Sequence, residues 1–427
     1  MPTHSPAAEL LEEFRRWPIL DVHSHIDPRR PAARDFGEIL GYHYYTELCH
    51  SAGMPAAMVD PSRDSSERCR NLAAYLGRID NTVQYSWLLE IARTFHGFQG
   101  EAIDPSTIDE LCERAQSAAL DGPSWDRRVW ERSNLEAVFL TSDFDDKLDD
   151  FDTSKYVPCL RCDDLVLKLH LPSTIARLRR ATGVDVADFA TLRSAAERLF
   201  VHFVAKGAKA CAISLPPDFA PRPGSPKRAS TPIRRAIHGL ELRPDEHDEV
   251  RATVFWMLAE LCEAHKLPFD LMIGPIRDAY PAGVAGGRDL FDRRVSLADY
   301  RGLFAAFPGV TFPVSTLSPD AAAELVAYAW IFPNVVPLGH WWYSNVPTYI
   351  AADLTARLEA VPKTSQVGYY SDAYKLEFVL PKFEMYRRIL ADVLAGGLVG
   401  GRGWTVERAA DVGRHLLVDN PRRTFGL

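Results

Sequence analysis

Short apolar runs alternate with longer segments of helical periodicity along the chain, and no other feature constrains its fold as much. Eight runs have the length and composition of buried strands: residues 19–22, 136–140, 156–160, 210–215, 269–273, 310–314, 335–338 and 366–370. Helical periodicity lies between many of them, for example at residues 192–205, 250–265, 297–306, 319–331 and 350–360. Strands that alternate with helices predict right-handed crossovers and a parallel sheet.

Eight such units predict an α/β fold, a (β/α)8 TIM-type barrel. A doubly wound open sheet is the alternative, but the chain has no GxGxxG phosphate loop to support it. A chain of 427 residues is long enough for two or three average domains, although large α/β barrels reach this length as one.

The wide gap between the first two runs predicts an insertion. Helical periodicity occurs inside it at residues 68–76, 83–94 and 108–119. We therefore predict a barrel built from residues 1–26 and 131–427, with a mostly helical insertion at residues 27–130 on the catalytic face.

Segments outside the strand pattern give four further predictions. Residues 216–232 are rich in proline, serine and arginine, which predicts a long loop after the fourth strand. The acidic run at 143–150 predicts a solvated loop, and residues 382–394 and 405–417 are expected to be helices that close the barrel. The charged stretch at 9–16 predicts an amphipathic helix and not a signal peptide.

Composition excludes several classes of partner. The chain is 47% hydrophobic and 25% charged, as in ordinary globular proteins, and its net charge of −8 disfavours nucleic acid. The best apolar run, at 326–338, contains Pro333 and Pro337, so no membrane partner is expected. We predict a cytoplasmic protein that acts on a small molecule. Assembly into a homo-oligomer is left as an alternative to a monomer.

The seven cysteines support a reducing location, because their number is odd and their spacing irregular. Cys159 and Cys162 form a CxxC pair, but no second pair accompanies it. Two ordinary thiols near a strand are therefore expected, rather than a redox or zinc motif.

His23 and His25 stand at the carboxyl end of the first predicted strand, and Asp372 stands at the end of the eighth. Residues i and i+2 of a strand point to one face, and the first and last strands of a closed barrel are neighbours. The three side chains are therefore predicted to hold one divalent metal, with open positions for substrate or water. The alternatives are a helix N-cap role for Asp372 and ordinary polar roles for the histidines.

Ligand chemistry leaves the metal open. Two histidines and one carboxylate suit zinc, manganese, iron or cobalt, with zinc as the default. The fourth, fifth and sixth predicted strands end in Ser214-Leu215, Ile273-Gly274 and Ser315-Thr316, and none of these ends offers a lysine or histidine as a ligand for a second metal. A mononuclear site is expected.

Further segments carry a family resemblance in chain order: Gly-Tyr-His-Tyr at 41–44, Leu-Arg at 160–161, Ser-Leu-Pro-Pro at 214–217, Leu-Met-Ile-Gly at 271–274, Gly-His-Trp-Trp-Tyr-Ser-Asn at 339–345 and Ser-Asp-Ala at 371–373. With the His-x-His and aspartate pattern typical of the amidohydrolase superfamily, the chain resembles the uronate isomerase (glucuronate isomerase) family. The resemblance implies a metal-dependent aldose–ketose isomerase that converts a hexuronate, such as D-glucuronate or D-galacturonate, to the ketouronate.

Aldose–ketose isomerisation needs a proton removed beside a carbonyl and returned to the next carbon. Asp372 or a metal-bound water is the candidate base. The resemblance implies that His43 and Tyr44 complete the site as hydrogen-bond donors or as a proton shuttle. Without the resemblance, the stretch 43–45 equally fits an aromatic packing patch.

The candidate substrate-binding arginines follow two predicted strands. Arg161 ends the third strand, where a guanidinium can bind a carboxylate through two hydrogen bonds. A salt bridge to Asp163 or Asp164 is the alternative. Arg277, shortly after the fifth strand, is the weaker candidate for the same role.

Aromatic residues complete the predicted substrate site. Trp341 and Trp342 either wall the sugar or are simply packed, and the role of His340 is open. Tyr374 stands where the family usually has arginine, and a tyrosine carries no charge at neutral pH. A family relative with a changed substrate is therefore also expected. The alternative functions are a mononuclear hydrolase, lactonase or lyase that acts on a sugar-acid-like substrate, and a non-enzymatic binding protein.

Overall fold

Parallel strand segments form the ring that the sequence predicts, in a computed structural model that describes residues 5–427. The seven regular barrel strands are Ile19–Ser24, Leu135–Leu140 continued by Ser142–Asp143, Tyr156–Val157 continued by Cys159–Arg161, Ala210–Leu215, Phe269–Ile273, Phe312–Thr316 and Val335–Pro337. Each pairs in parallel with its neighbours. The predicted α/β barrel is confirmed.

Pro158 divides the third strand. The residues before it, Tyr156–Val157, pair with the second strand, and those after it, Cys159–Arg161, pair with the fourth. Proline has no N–H for a sheet ladder, but its carbonyl still accepts from Lys209 N at 3.2 Å. The interruption lies before Arg161 and leaves it at the carboxyl end of the strand.

The eighth position of the ring is occupied by an irregular segment, so the prediction of a regular strand at 366–370 is wrong in that respect. Val367 N donates to Pro337 O at 2.9 Å, which joins the segment to the seventh strand. Gly368 N instead donates to Leu416 O at 2.9 Å, outside the ring, and Ser371 N donates to the Asp21 carboxylate at 2.7 Å. Because these two N–H groups donate elsewhere, they are not available for hydrogen bonds to a neighbouring strand, and the segment does not form a continuous strand.

Helices surround the ring. Those outside residues 27–130 are Pro6–Arg16, Asp163–Leu167, Pro172–Thr182, Phe189–Ala205, Pro226–Ile237, Pro244–His265, Arg301–Ala306, Ala322–Ile331, Pro347–Ala360, Val379–Leu394, Val406–Arg414 and Asn420–Phe425. Short 3-10 turns are Ala56–Val59, Leu297–Tyr300, Pro319–Ala321, Trp342–Ser344 and Leu376–Phe378, and π-helical turns are Ala395–Gly400 and His415–Asp419. The predicted helices are confirmed with shifted ends. No helix within residues 5–427 is both long and apolar enough to cross a membrane.

Residues 226–232, predicted as part of a loop, begin the helix Pro226–Ile237, so this prediction is wrong for that part. Ser225 caps the helix by accepting from Arg228 N at 3.3 Å, and Pro226 occupies the first turn, where a missing N–H costs nothing. Ile233 and Ile237 are buried on one face. Here a serine followed by a proline marks the start of a helix, although a segment rich in serine and proline usually indicates a loop.

Residues 27–130 contain the helices Phe36–Leu40, His43–Ser51, Ser65–Leu76, Val83–His96, Ile108–Ala118 and Gly122–Arg132. Their buried side chains share one hydrophobic cluster with the first strand and the C-terminal helices; Trp87, for example, belongs to the same cluster as Phe378 and Leu390. The division into barrel and insertion stays a prediction, and residues 1–4 of it lie outside the described part of the chain.

Gly339 provides a test of the ring closure. Its φ is +40°, and a Cβ there would lie 2.2 Å from Cδ1 of the buried Tyr370 ring. We expect Gly339→Ala to lower the free energy of unfolding by roughly 2–4 kcal/mol, through left-handed strain and overpacking. Gly77→Ala is the control, because its Cβ would meet nothing within 4 Å. Equal stability of the two variants in denaturant titrations would contradict this account.

Candidate metal centre

The first strand and the eighth segment bring the three predicted metal ligands together. His23 Nε2 lies 3.7 Å from Asp372 Oδ1, and His25 Nε2 lies 3.4 Å from the same oxygen. Ligand atoms of all three residues lie within 4.8 Å of one another. This is the one such cluster of histidine, cysteine or carboxylate groups within residues 5–427. The predicted arrangement across the barrel closure is therefore present.

Two atoms of this cluster are buried without a partner. His23 Nε2 and Asp372 Oδ1 accept no hydrogen bond from any residue that the structure describes. A buried polar atom left unsatisfied costs about 1–3 kcal/mol. Because an imidazole nitrogen and a carboxylate oxygen are both divalent-metal ligands, a cation between them fits the donor set.

Local charges favour the metal-binding form of Asp372. Burial by itself raises the pKa of its carboxyl, but the nearby imidazoles of His25 and His23 and the ammonium of Lys382 outweigh burial and lower the pKa to about 2. Burial lowers the pKa of His25, which favours the neutral imidazole that metals bind. For His23, burial lowers the pKa, but Asp270 and Asp372 outweigh it and raise the net value.

Two residues that the sequence analysis missed contact the far nitrogens of the histidines. Thr141, one residue beyond Leu135–Leu140, places Oγ1 2.7 Å from His25 Nδ1. Asp270, in the fifth strand, places Oδ2 3.5 Å from His23 Nδ1. An aspartate inside the apolar run Phe269–Ile273 was a signal in the sequence, because such a buried carboxylate requires a partner.

A buried polar cluster lies behind Asp372. Lys382 is fully buried, and its ammonium donates to Ser371 O at 2.8 Å and to the Tyr42 hydroxyl at 3.3 Å. Tyr42 in turn donates to Asp372 O at 2.9 Å, and Ser371 donates its backbone N–H to the buried carboxylate of Asp21. Burial lowers the pKa of Lys382 to about 8 and raises that of Asp21 to about 6. The cluster holds Asp372 in its left-handed conformation, with φ of +53°.

His43 and Tyr44 begin the helix His43–Ser51 near the candidate ligands. The His43 ring centroid lies 5.3 Å from that of Trp342 and 6.1 Å from that of Tyr374. Burial lowers the pKa of His43 to about 4 and raises that of the Tyr44 phenol well above its usual range. At neutral pH the pair therefore comprises a neutral imidazole and a protonated phenol. The rings of His43 and Tyr44 pack against each other, as the packing-patch hypothesis requires. His43 Nε2 and the Tyr44 hydroxyl are also buried without a hydrogen-bond partner among the described residues, as a role in substrate binding requires.

Arg161 reaches the same cavity as the histidines and also makes the alternative ion pair. Its Nε lies 3.2 Å from Asp163 Oδ2, while the side chain keeps 34% of its surface exposed. Arg277 lines the same cavity, and its Nη1 donates to Asp289 at 2.5 Å and its Nη2 to Ser214 at 3.3 Å. This cavity has a volume of only about 30 Å³.

The two tryptophans are buried, and only Trp341 lines this cavity. Tyr374 stacks on His25, with ring centroids 4.9 Å apart, and remains 45% exposed. His340 does not join the cluster: its Nε2 lies 3.5 Å from Asp353, which pairs with the buried Arg357. Tyr374 therefore lies beside the candidate centre, whereas His340 contacts the helix Pro347–Ala360.

These features define the class of the protein as an α/β barrel with a candidate mononuclear metal centre at the carboxyl ends of its strands. The family model for glucuronate isomerase matches residues 2–286. The chain belongs to the glucuronate isomerase family.

Relatives agree with this assignment over almost the whole chain. A uronate isomerase from Thermotoga sp. strain RQ2 is 23% identical over 449 residues, covering 99% of this chain and 98% of the relative. The fold is similar to the crystal structure of a uronate isomerase from Thermotoga maritima, with TM-score 0.90, 21% identity and coverage of 98% and 97%. It is also similar to a glucuronate isomerase from Caulobacter crescentus, with TM-score 0.89, 19% identity and coverage of 99% and 94%.

The buried ammonium of Lys382 predicts a pH dependence of stability. The unfolded chain holds this proton up to a pKa near 10.5, whereas the folded protein loses it near pH 8. Between these values the unfolded state binds more protons, so the free energy of unfolding rises with pH, by about 3 kcal/mol in total from this group.

We expect the difference in unfolding free energy between the wild type and Lys382→Met to increase in favour of the wild type from pH 7 to pH 10. Lys147→Met, at an exposed position, is the control, and its difference from the wild type should stay constant. A constant difference for Lys382→Met as well would show that its ammonium is not desolvated.

Proposed function

We propose that this protein is a metal-dependent aldose–ketose isomerase that acts on a hexuronate, D-glucuronate or D-galacturonate, or on a close analogue. The observation that carries the proposal is the trio of His23, His25 and Asp372, with two buried ligand atoms unpartnered, in a member of the glucuronate isomerase family. The relatives named above are uronate isomerases, whereas the alternative of a hydrolase, lactonase or lyase has no comparable support.

His23, His25 and Asp372 would hold one divalent ion, with zinc as the default among zinc, manganese, iron and cobalt. When bound, the metal supplies Lewis acidity that polarises the sugar carbonyl and its neighbouring hydroxyl. The role in carbohydrate metabolism and the cytoplasmic location are part of the same proposal. The seven free thiols support that location, because a reducing compartment keeps cysteines unpaired.

We assign the proton transfer to Asp372 and the hydrogen bonds to the substrate oxygens to His43 and Tyr44. The pKa of Asp372 near 2 keeps its carboxylate ionised at neutral pH but makes it a weak base, so the role requires a substrate proton that the neighbouring carbonyl has made acidic. Tyr44 stays protonated because burial raises its pKa, so its phenol donates to an oxygen that gains charge. His43 stays neutral, with Nε2 buried and unpartnered among the described residues.

Arg161 is the proposed contact to the substrate carboxylate. It shares a cavity with both histidines and with Trp341, and its guanidinium has donors beyond the two that face Asp163. Tyr374 occupies the position where the resemblance implies arginine, so Arg161 carries more of the charge recognition, with Arg277 as the second cation. Trp341 and Trp342 are assigned to the wall of the sugar site.

The first experiment is to incubate metal-replete protein with D-glucuronate and D-galacturonate in heavy water and to follow both sugars by proton NMR. We expect ketouronate to form, with deuterium entering beside the carbonyl, because the proton exchanges while it is transferred. Folded, metal-loaded protein that leaves both sugars unchanged and unlabelled would contradict the proposal.

Removing a ligand should abolish turnover while the fold is retained. We expect His23→Ala and Asp372→Ala each to lose at least about 100-fold in kcat and most of their bound metal, with unchanged circular dichroism. His238→Ala, at an exposed position, is the control. Full activity of both ligand variants would show that the reaction does not use this cluster.

Arg161 and Arg277 can be separated by their effects on substrate binding. A lost charge-assisted contact costs about 1.5–3 kcal/mol, so Arg161→Met should raise KM for the hexuronate roughly 10-fold or more. Arg161→Lys should recover part of this loss, because it keeps the charge without the two-pronged geometry. Arg277→Met, whose guanidinium is bonded to Asp289 and Ser214, should change KM less. A larger increase in KM for Arg277→Met than for Arg161→Met would show that Arg277, and not Arg161, contacts the substrate carboxylate.

A further inference from the structure

The hydrogen-bond pattern around Thr141 restricts which nitrogen of His25 carries the proton. Thr141 Oγ1 lies 3.0 Å from Ser24 O, in donor geometry, and 2.7 Å from His25 Nδ1. A hydroxyl has a single proton to donate. When that proton goes to the Ser24 carbonyl, which can only accept, the hydroxyl must accept from His25 Nδ1–H. His25 Nε2 is then left with its lone pair.

A carboxylate has the same effect on His23. Asp270 is 2% exposed, and its Oδ2 lies 3.5 Å from His23 Nδ1. A carboxylate oxygen attracts N–H and repels a lone pair, so the neutral imidazole places its proton on Nδ1. His23 Nε2, the unpartnered atom, is then a free donor to a cation on the side of Asp372.

We infer that Thr141 and Asp270 are positioning residues that fix both histidines in the Nδ1–H tautomer and so aim two Nε2 lone pairs at the metal position. The opposite tautomer would turn two N–H groups toward Asp372 Oδ1, which lies 3.4 Å from one Nε2 and 3.7 Å from the other. With a small inward shift of the imidazoles, such an arrangement would let Asp372 accept hydrogen bonds without a metal. The two contacts therefore decide between a metal site and a closed hydrogen-bonded cluster.

This inference rests on the proposed function, because it assumes that the cluster binds a metal. Thr141→Val removes the acceptor at constant volume, while the Thr141 backbone N–H still donates to Ser24 O at 3.0 Å. Thr141→Ser keeps the hydroxyl and is the matched control. Asp270→Asn keeps the shape but removes the charge, and Asp270→Leu removes the acceptor altogether.

The first measurement is zinc affinity, by competition with a chromophoric chelator at one pH. We expect Thr141→Val and Asp270→Leu to bind Zn²⁺ about 10–100-fold more weakly than the wild type. Thr141→Ser should stay within about threefold, and Asp270→Asn should lie between. Circular dichroism and thermal unfolding of each apo variant identify any that fail to fold.

The second measurement is ¹⁵N NMR of the metal-free protein labelled at histidine, recorded at a pH where both imidazoles are neutral, which reports the protonated nitrogen of His23 and His25 without any turnover. Protons on Nδ1 in the wild type, and a shift toward Nε2 in Thr141→Val for His25 and in Asp270→Leu for His23, are the expected result. Protons on Nε2 in the wild type, or folded variants with unchanged zinc affinity, would overturn the inference. A wild type that binds no zinc would instead contradict the proposed function, while the NMR result would still judge the tautomers.

Discussion

The pairing of the eighth segment with the first strand is the interaction on which the site depends. Asp372 N donates to His23 O at 3.1 Å, and His25 N donates to Ala373 O at 2.8 Å. These two backbone hydrogen bonds close the ring and, at the same time, set the carboxylate opposite the imidazoles. Closing the barrel and assembling the candidate metal centre are thus one structural event, and a loss of register here would disperse the three ligands.

The same junction holds an uncommon amount of buried charge. The Lys382 ammonium lies 5.1 Å from the ring centroids of Tyr42, Tyr44 and Trp87. Aromatic faces attract a desolvated cation, which offsets part of the cost of burying it. Because Tyr42, Tyr44 and Trp87 belong to residues 27–130, this contact joins that region to the C-terminal helix Val379–Leu394 and to the segment that carries Asp372.

Local patterns in the sequence predict the ring and its three candidate ligands, because strand alternation and the two-residue spacing of His23 and His25 act over a few residues. Asp372 was also predictable, since closure makes the first and last strands neighbours. Thr141 and Asp270 were missed because they come from the second and fifth strands, whose side chains meet the histidines only in the folded ring. The helix at Pro226–Ile237 was missed because proline and serine favour both loops and helix starts. The eighth strand is irregular because the Asp21 carboxylate and Leu416 O take two of its donors, which no local pattern reveals.

The small volume beside the ligands has a kinetic consequence. Small-molecule sites usually offer about 300–1,000 Å³, and a space of about 30 Å³ does not admit a six-carbon acid. Arg277 belongs to the loop between the short antiparallel strands Pro275–Ile276 and Leu290–Phe291, and it ties that loop to Ser214 at the end of the fourth strand. A substrate of that size therefore needs the side chains that line this space to move before it reaches the metal position. An opening step of this kind would belong to every turnover of a large substrate, in addition to the chemical step.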